Sequence, residues 1–163
     1  MSMDWVFIAP PPVDTTAKIR AMFLYNFTKN IEWPKSYKQG NFIIGILGTS
    51  TLKDELQTIV ASKKVGNVQD FEILQFSSTS DIKKCHILYV TSENSAMMKP
   101  AQAKIKGKST LLITEKAGMA KQGAAINFIV VDNKQKFELN KANAEKYDLK
   151  VSNNLTSLAI LVE

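Results

Sequence analysis

The segment Phe42-Ile43-Ile44-Gly45-Ile46-Leu47 is a short apolar run, bounded by Asn41 before it and by Gly48-Thr49-Ser50 after it. Its length and its turn-forming flanks predict a strand that is buried on both faces. Strands of this kind occur in parallel sheets whose two faces are covered by helices. The segment therefore predicts an α/β fold built around a central parallel sheet.

Strands and helices are expected to alternate after this run. The predicted strands are 71–76, 86–90 and 110–114. The predicted helical segments 51–62, 77–84 and 94–106 each precede one of these strands. Short links between such elements are typical of right-handed crossovers in a parallel sheet. Helices built by successive crossovers cover both faces, so we expect a three-layer sandwich.

The last forty residues depart from this alternation. Segments 125–131 and 134–139 flank Asp132-Asn133, which is a tight-turn signal, and they predict an antiparallel hairpin at one edge of the sheet. Asn140 is expected to cap a helix over 141–147. The apolar tail 151–162 is compatible with either a helix or a strand. No internal repeat or domain boundary is apparent, so 17–163 is expected to be one domain.

The segment 17–34, Ala-Lys-Ile-Arg-Ala-Met-Phe-Leu-Tyr-Asn-Phe-Thr-Lys-Asn-Ile-Glu-Trp-Pro, is more apolar than an ordinary surface helix. At helical spacing it has two apolar stripes. One stripe is Ile19, Met22, Phe23 and Phe27, and the opposite one is Ala21, Leu24, Tyr25 and Thr28. Pro34 is expected to end the helix. One stripe can pack on the sheet, and the other is expected to meet further parts of the chain, a second copy or another protein.

Composition narrows the class of protein. The chain has 163 residues, 45% of them hydrophobic, which is enough for a core without disulfides or metal. The net charge of +6 comes from scattered lysines, without the clustered stripe of a nucleic-acid-binding surface.

No apolar run is long enough for direct membrane insertion, and residues 1–12 lack the features of a complete signal peptide. A leader removed beforehand would leave the same start, with residues 1–16 as a tether or remnant.

The residue types needed for catalysis or metal binding are sparse. Cys85 and His86 are the only cysteine and histidine, and as neighbours in a strand they point to opposite faces. We therefore expect a packed Cys85 and a half-buried His86. The pair does not complete a zinc site, and no glycine-rich phosphate-binding motif is present, so no catalytic residue, metal or cofactor is predicted.

Hydroxyl side chains follow each predicted parallel strand. Because the carboxyl ends of parallel strands share one edge, these side chains are expected to gather there. They are good helix caps, which is the simpler interpretation, but together with free backbone amides they could also hold a small polar or anionic ligand. The candidate ligand-binding residues are Ser50, Thr51, Ser77, Ser78, Ser92 and Glu115.

Several segments together resemble the YfiR-like family of periplasmic regulators, over about residues 17–161. The resemblance rests on 23–27 with 32–34, 44–48, 85–90, Gly118, Gly123, 126–128 and 137–140. It implies a non-enzymatic, periplasmic and often dimeric α/β domain, with residues 17–163 as the single YfiR-like unit and any signal peptide already removed. The implied partner is the periplasmic sensor domain of an inner-membrane signalling protein. By analogy, binding would repress a diguanylate cyclase and lower cyclic-di-GMP and biofilm formation.

Three functional hypotheses follow from these observations. The leading one is regulation by protein contact, with Leu24, Tyr25 and Trp33 as candidate partner-binding residues, since Tyr and Trp often anchor interfaces. A first helix enclosed by its own fold, with Trp33 in the core, is about as plausible. The second hypothesis is a small-molecule sensor that uses the Ser/Thr edge. An esterase or nuclease comes third, because no credible base accompanies the serines.

Overall fold

The computed structural model describes residues 15–163, and most of the expected 1–16 tether lies outside them. The helices are α1 (Thr15–Asn30), α2 (Leu52–Val60), α3 (Met98–Ile105), α4 (Lys141–Glu145) and α5 (Asn153–Leu158). The strands are β1 (Ile31–Glu32), β2 (Phe42–Leu47), β3 (Lys64–Val65), β4 (Gln69–Phe76), β5 (Ile87–Val90), β6 (Leu111–Thr114), β7 (Ile126–Val131), β8 (Lys134–Leu139), β9 (Lys150–Val151) and β10 (Ile160–Leu161).

Eight of these strands form one mixed sheet, in the order β10-β8-β7-β6-β5-β2-β4-β3. Strands β4, β2, β5, β6 and β7 are parallel to their neighbours in this series, and β7 and β8 form an antiparallel hairpin. The hairpin turn places Asp132 and Asn133 at φ 52° and 62°. Both values belong to the left-handed region that a type I′ turn requires, and Asn and Asp adopt it more readily than most residues. The predicted hairpin is therefore confirmed.

Helices cover both faces of the sheet, as predicted. On one face, Leu24 and Phe27 of α1 and Leu56 of α2 pack with residues such as Ile44 and Ile87 in the larger buried cluster. On the other face, α3 packs on a second cluster, formed by Leu47, Leu88, Leu112, Met98 and Ile105. Alternate residues of β2 and β5 thus point into different clusters, which explains why these strands are apolar throughout.

Helix α1 ends four residues before the predicted limit at Pro34. The backbone of Ile31 and Glu32 pairs with Val151 and Lys150 in a small antiparallel sheet, β1 with β9. Ser152 N also donates to Asn30 O, at 2.9 Å. These contacts tie the end of α1 to the C-terminal region. They join residues 118 to 122 positions apart in the sequence, so local spacing could not reveal them.

The other elements differ from expectation mainly at their ends. The predicted helix 94–106 begins as a 3₁₀ segment, Ser92–Met97, and continues as α3. The predicted 77–84 segment contains only the 3₁₀ turn Thr79–Asp81. Asn140 caps α4, because its side chain accepts a hydrogen bond from Asn143 N. The tail combines both predicted alternatives, since it contains β9, α5 and β10.

Candidate functional site

The six residues of the predicted Ser/Thr edge lie along the carboxyl ends of adjacent parallel strands. Ser77 and Ser78 follow β4, Ser50 and Thr51 follow β2, Ser92 follows β5, and Glu115 follows β6. The strand order β4-β2-β5-β6 makes these positions neighbours along one edge. The topology therefore brings the six residues to the same side of the sheet, but they do not share one pocket.

Glu115 forms the best-connected polar cluster at this edge. Its Oε2 accepts hydrogen bonds from Arg20 Nη1 and, at 2.8 Å, from the Tyr89 hydroxyl. Its Oε1 accepts from Ser92 N at 3.0 Å. Arg20 Nε donates to Gln135 Oε1 at 3.2 Å. Burial and, to a smaller extent, the charge of Glu115 raise the pKa of Tyr89. The hydroxyl therefore keeps its proton and acts as a donor. The carboxylate of Glu115 is therefore engaged within the chain.

Arg20 is the residue of this cluster that the sequence-based prediction missed. It is the single arginine among 21 basic residues, the others being lysines. Arginine presents several donors in a fixed planar array, which suits a carboxylate and a second acceptor together. The rarity of arginine in this lysine-rich chain was a signal that could have identified Arg20.

The hydroxyls farther along the edge have local hydrogen bonds. Ser50 Oγ accepts from Leu52 N at 3.1 Å, at the start of α2. Ser78 Oγ lies 2.8 Å from Ser80 Oγ and 3.2 Å from Asp81 Oδ2. These are the contacts expected of residues that stabilise turns and helix starts. An open depression of about 670 Å³ adjoins Ser50, and it is lined by Thr49, Ser50, Thr51, Lys53, Asp54 and Gln75.

Of the three proposed partner-binding residues, Leu24 and Trp33 are buried. Leu24 is 0% exposed and Trp33 is 5% exposed. Trp33 Nε1 donates to His86 O at 3.1 Å, and its ring packs edge-on against Phe42. Leu24 and Trp33 therefore belong to the core, and their expected surface position is corrected.

The buried face of α1 includes most of the stripe that we expected to face a partner. Ala21, Leu24 and Thr28 are buried, and so is Phe27 of the other stripe, whereas Met22 of that stripe is 55% exposed. Tyr25 is partly exposed. The spacing predicted two apolar stripes but not which of their residues would face the sheet, because both stripes have similar apolar side chains.

The exposed side of α1 borders a groove with α2. This α1–α2 groove has a volume of about 510 Å³ and is mainly apolar. Lys29 Nζ and Lys63 Nζ lie 4.6 and 5.3 Å from the centre of the Tyr25 ring, within cation–π distance. The groove is lined by Lys18, Ile19, Met22, Phe23, Tyr25, Asn26, Ile59 and Lys63.

His86 and Cys85 are both buried and have structural contacts. His86 Nδ1 accepts from Ile43 N at 3.1 Å, and Nε2 lies 2.6 Å from Tyr37 O. Because Nδ1 is the acceptor, Nε2 carries the proton and donates it to Tyr37 O. Burial lowers the pKa of His86 and raises the pKa of Cys85 to about 12. His86 is more deeply buried than the half-buried state predicted from the sequence.

Residues 15–163 contain neither a cluster of metal-ligating side chains nor a membrane-spanning helix. No group of three or more His, Cys, Asp or Glu side chains in this part of the chain could hold a metal ion. Among the helices of the same residues, none combines the length and the apolar character needed to cross a membrane.

The sequence of the described domain matches a known protein family. Residues 17–160 match the sequence profile of DUF4154, a family described as YfiR/HmsC-like. The chain therefore belongs to the YfiR/HmsC-like family, and the match covers nearly all of the described domain. No curated protein sequence matches the chain.

A solved structure has a similar fold. It is described as an ABC domain in complex with L-Trp from Streptococcus pneumonia, and it superposes with a TM-score of 0.56 at 13% sequence identity. The match covers 90% of this chain and 60% of that one, so this chain spans about three fifths of the length of the matched structure. At this level of identity, the likeness concerns the fold alone.

Proposed function

We propose that this protein is a periplasmic regulator that acts by protein–protein contact and represses a membrane-bound diguanylate cyclase. The observation that supports the proposal is membership of the YfiR/HmsC-like family across residues 17–160. The proposed partner is the periplasmic sensor domain of an inner-membrane signalling protein, and the chain could act as a homodimer. The expected outcome of binding is a lower level of cyclic-di-GMP.

The contacts of the potential catalytic groups support a non-enzymatic role. Both ring nitrogens of His86 are engaged by backbone groups, so the imidazole lacks a free nitrogen for general-base catalysis. The thiol of Cys85 is buried, and its raised pKa keeps it protonated at neutral pH. Glu115 is paired with Arg20. We propose that these groups stabilise the fold.

The proposal is tested with the periplasmic domain of any membrane diguanylate cyclase or histidine kinase found to be encoded beside this gene. Isothermal titration calorimetry should detect a saturable complex between the two purified proteins. Deletion of the gene should raise cellular cyclic-di-GMP, and an inactive-cyclase background should abolish that rise. Absence of both binding and a change in cyclic-di-GMP would contradict the proposal. Fractionation of cells that express the natural gene would test the periplasmic location.

A second candidate function is a small-molecule sensor at the Ser/Thr edge. The open depression beside Ser50 and Thr51 supports this alternative, because it lies at the carboxyl edge, where open α/β sheets commonly bind ligands. Thermal-shift measurements with nucleotides, amino acids and sugars would test it. A ligand that stabilises the wild type but not a Ser50→Ala variant would favour a sensor, and no stabilisation by any compound would count against it.

A further inference from the structure

We propose that the α1–α2 groove binds an acidic, apolar segment of the partner protein. This inference rests on the proposed function, because it names the surface and the partner chemistry that the regulatory contact would use. The groove joins the exposed side of α1 to α2 through Met22, Tyr25 and Ile59. It differs from the predicted contact set, of which only Tyr25 remains at the surface.

The apolar part of the groove supplies the contact area. Met22 is 55% exposed, and Ile19, Phe23 and Ile59 are partly exposed around it. Burial of such side chains by a partner releases their hydration water, which favours association. Methionine adapts its shape to different neighbours and is common at binding surfaces. The groove therefore suits a partner segment with aliphatic or aromatic side chains.

The charges around the groove define the second half of the partner chemistry. Lys18 and Lys63 line it, and Lys29 lies over the Tyr25 ring. None of these three lysines forms an ion pair with the described residues 15–163. A partner with Asp or Glu beside its apolar side chains would complement these positive charges, and a basic partner would be repelled.

Charge also argues against a second copy of this chain as the occupant. A two-fold contact places the same surface of both molecules face to face. Lys18, Lys29 and Lys63 of each copy would then approach the equivalent lysines of the other.

A membrane surface is disfavoured for a different reason. Amphipathic helices enter bilayers through a protruding apolar face, whereas this apolar surface is concave.

Fluorescence anisotropy with three labelled peptides tests the inference on the full chain. The acidic probe is an acetylated 14-residue peptide with Leu and Phe on one helical face and Glu elsewhere. The second probe has Lys in place of Glu, and the third has Ser in place of Leu and Phe. We expect saturable binding of the acidic probe alone. Binding of the basic or the Ser-containing probe with equal affinity would overturn the proposed chemistry.

Two groove variants and a matched control then locate the binding surface. The Lys18→Glu/Lys63→Glu variant should weaken binding of the acidic probe about tenfold, because it replaces two attractions with repulsions. Met22→Ser should weaken it about fivefold through loss of apolar contact. The control Lys99→Glu/Lys104→Glu has the same change in net charge on α3, on the opposite face of the sheet, and should bind within about twofold of the wild type. Equal weakening by the control would overturn the inference.

Other occupants would be recognised by separate outcomes. Sedimentation that shows a wild-type dimer but a Lys18→Glu/Lys63→Glu monomer would assign the groove to a second copy. Groove-dependent binding to phosphatidylglycerol vesicles, without binding of the acidic probe, would assign it to a membrane. Probe binding that appears only when residues 1–14 are replaced by a Gly/Ser stretch would assign it to the chain itself. Each of these results would overturn the partner-segment proposal.

The same variants separate this inference from the proposed function. If the wild type binds the periplasmic sensor domain and the groove variants bind it equally well, the regulatory proposal stands and the groove assignment fails. If the acidic probe binds the groove but the sensor domain does not bind, the groove remains a site for acidic, apolar segments and the proposed partner is wrong.

Discussion

Arg20 of α1 pairs with Glu115, which follows β6 at the carboxyl edge of the sheet, although the two residues are 95 positions apart in the sequence. Glu115 also accepts hydrogen bonds from Tyr89 and from Ser92 N. One carboxylate therefore connects the first helix, the end of β5 and the end of β6. This arrangement holds α1 in place on the sheet and thereby positions the exposed side of the helix that borders the α1–α2 groove.

Replacement of Arg20 by Ala should destabilise the fold clearly. It would leave the Glu115 carboxylate, whose side chain is only 13% exposed, without its cationic partner. Loss of one partner of a largely buried pair leaves a charge that is poorly solvated, and we expect a cost of about 2–4 kcal/mol in the free energy of unfolding. Urea unfolding followed by circular dichroism measures this change.

Lys38→Ala is the matched control for that experiment. Lys38 and Glu32 form an ion pair at 3.0 Å, but both side chains are more than half exposed. Solvent-screened pairs contribute little, so the cost should stay below about 1 kcal/mol. Equal losses for Arg20→Ala and Lys38→Ala would show that the buried cluster has no special role in stability.

Gly45→Ala should destabilise the protein by a steric mechanism. A Cβ atom at Gly45 would lie 2.3 Å from Phe76 Cε2 on the adjacent strand β4. We expect a loss of about 1–3 kcal/mol in unfolding free energy, because a buried aromatic ring must shift to admit the methyl group. Thermal unfolding measures the effect, and the double variant Gly45→Ala/Phe76→Leu should recover part of it. No recovery would mean that the ring contact is not the cause.

The central part of the fold follows from local sequence patterns. The bounds of β2 agree with the apolar run 42–47, and the β7–β8 hairpin agrees with the turn at Asp132-Asn133. These elements depend on neighbours in the sequence. Strand β1 depends instead on pairing with Val151 and Lys150. Tertiary pairing of this kind leaves no local signature, so the sequence predicted a continuous helix there.

The functional surface was harder to predict than the fold. Sequence spacing placed two apolar stripes on α1, but the choice of the buried stripe depends on how the helix lies over the sheet. Leu24 and Phe27, one from each stripe, face the core, whereas Met22 faces solvent. Similarly, the residues of the Ser/Thr edge were located correctly along the sheet, whereas the role of Arg20 required the contact with Glu115.

Cys85 should resist alkylation in the native protein. Its thiol is buried, and burial raises its pKa to about 12, so little reactive thiolate forms at pH 8. Iodoacetamide labelling followed by mass spectrometry should be slow in buffer and fast in urea. In a Cys85→Ala background, Met22→Cys provides an exposed control thiol that should react rapidly. Equally rapid labelling of native Cys85 would contradict this account.

His86 should make stability depend on pH below about 6.5. Burial is the main cause that lowers its pKa in the folded state, and the nearby positive charge of Lys84 adds to the effect. Protonation of Nδ1 would also oppose the hydrogen bond from Ile43 N. Between the lowered pKa and the ordinary value of 6.5, the unfolded chain binds a proton that the folded chain does not. The stabilisation is therefore complete above 6.5 and decreases as the pH falls below it.

Urea unfolding of the wild type and of His86→Gln at pH 7.5, 6.5 and 5.5 tests this prediction. The substitution removes the titrating group, while carboxylates that titrate at lower pH remain in both proteins and cancel in the comparison. His86→Gln should be less stable at pH 7.5, because the geometry of two buried hydrogen bonds is disturbed, but its stability should fall less between pH 7.5 and 5.5. A single histidine limits the difference in slope to about 1.4 kcal/mol per pH unit. Identical slopes for the two proteins would show that His86 does not determine the acid sensitivity of the fold.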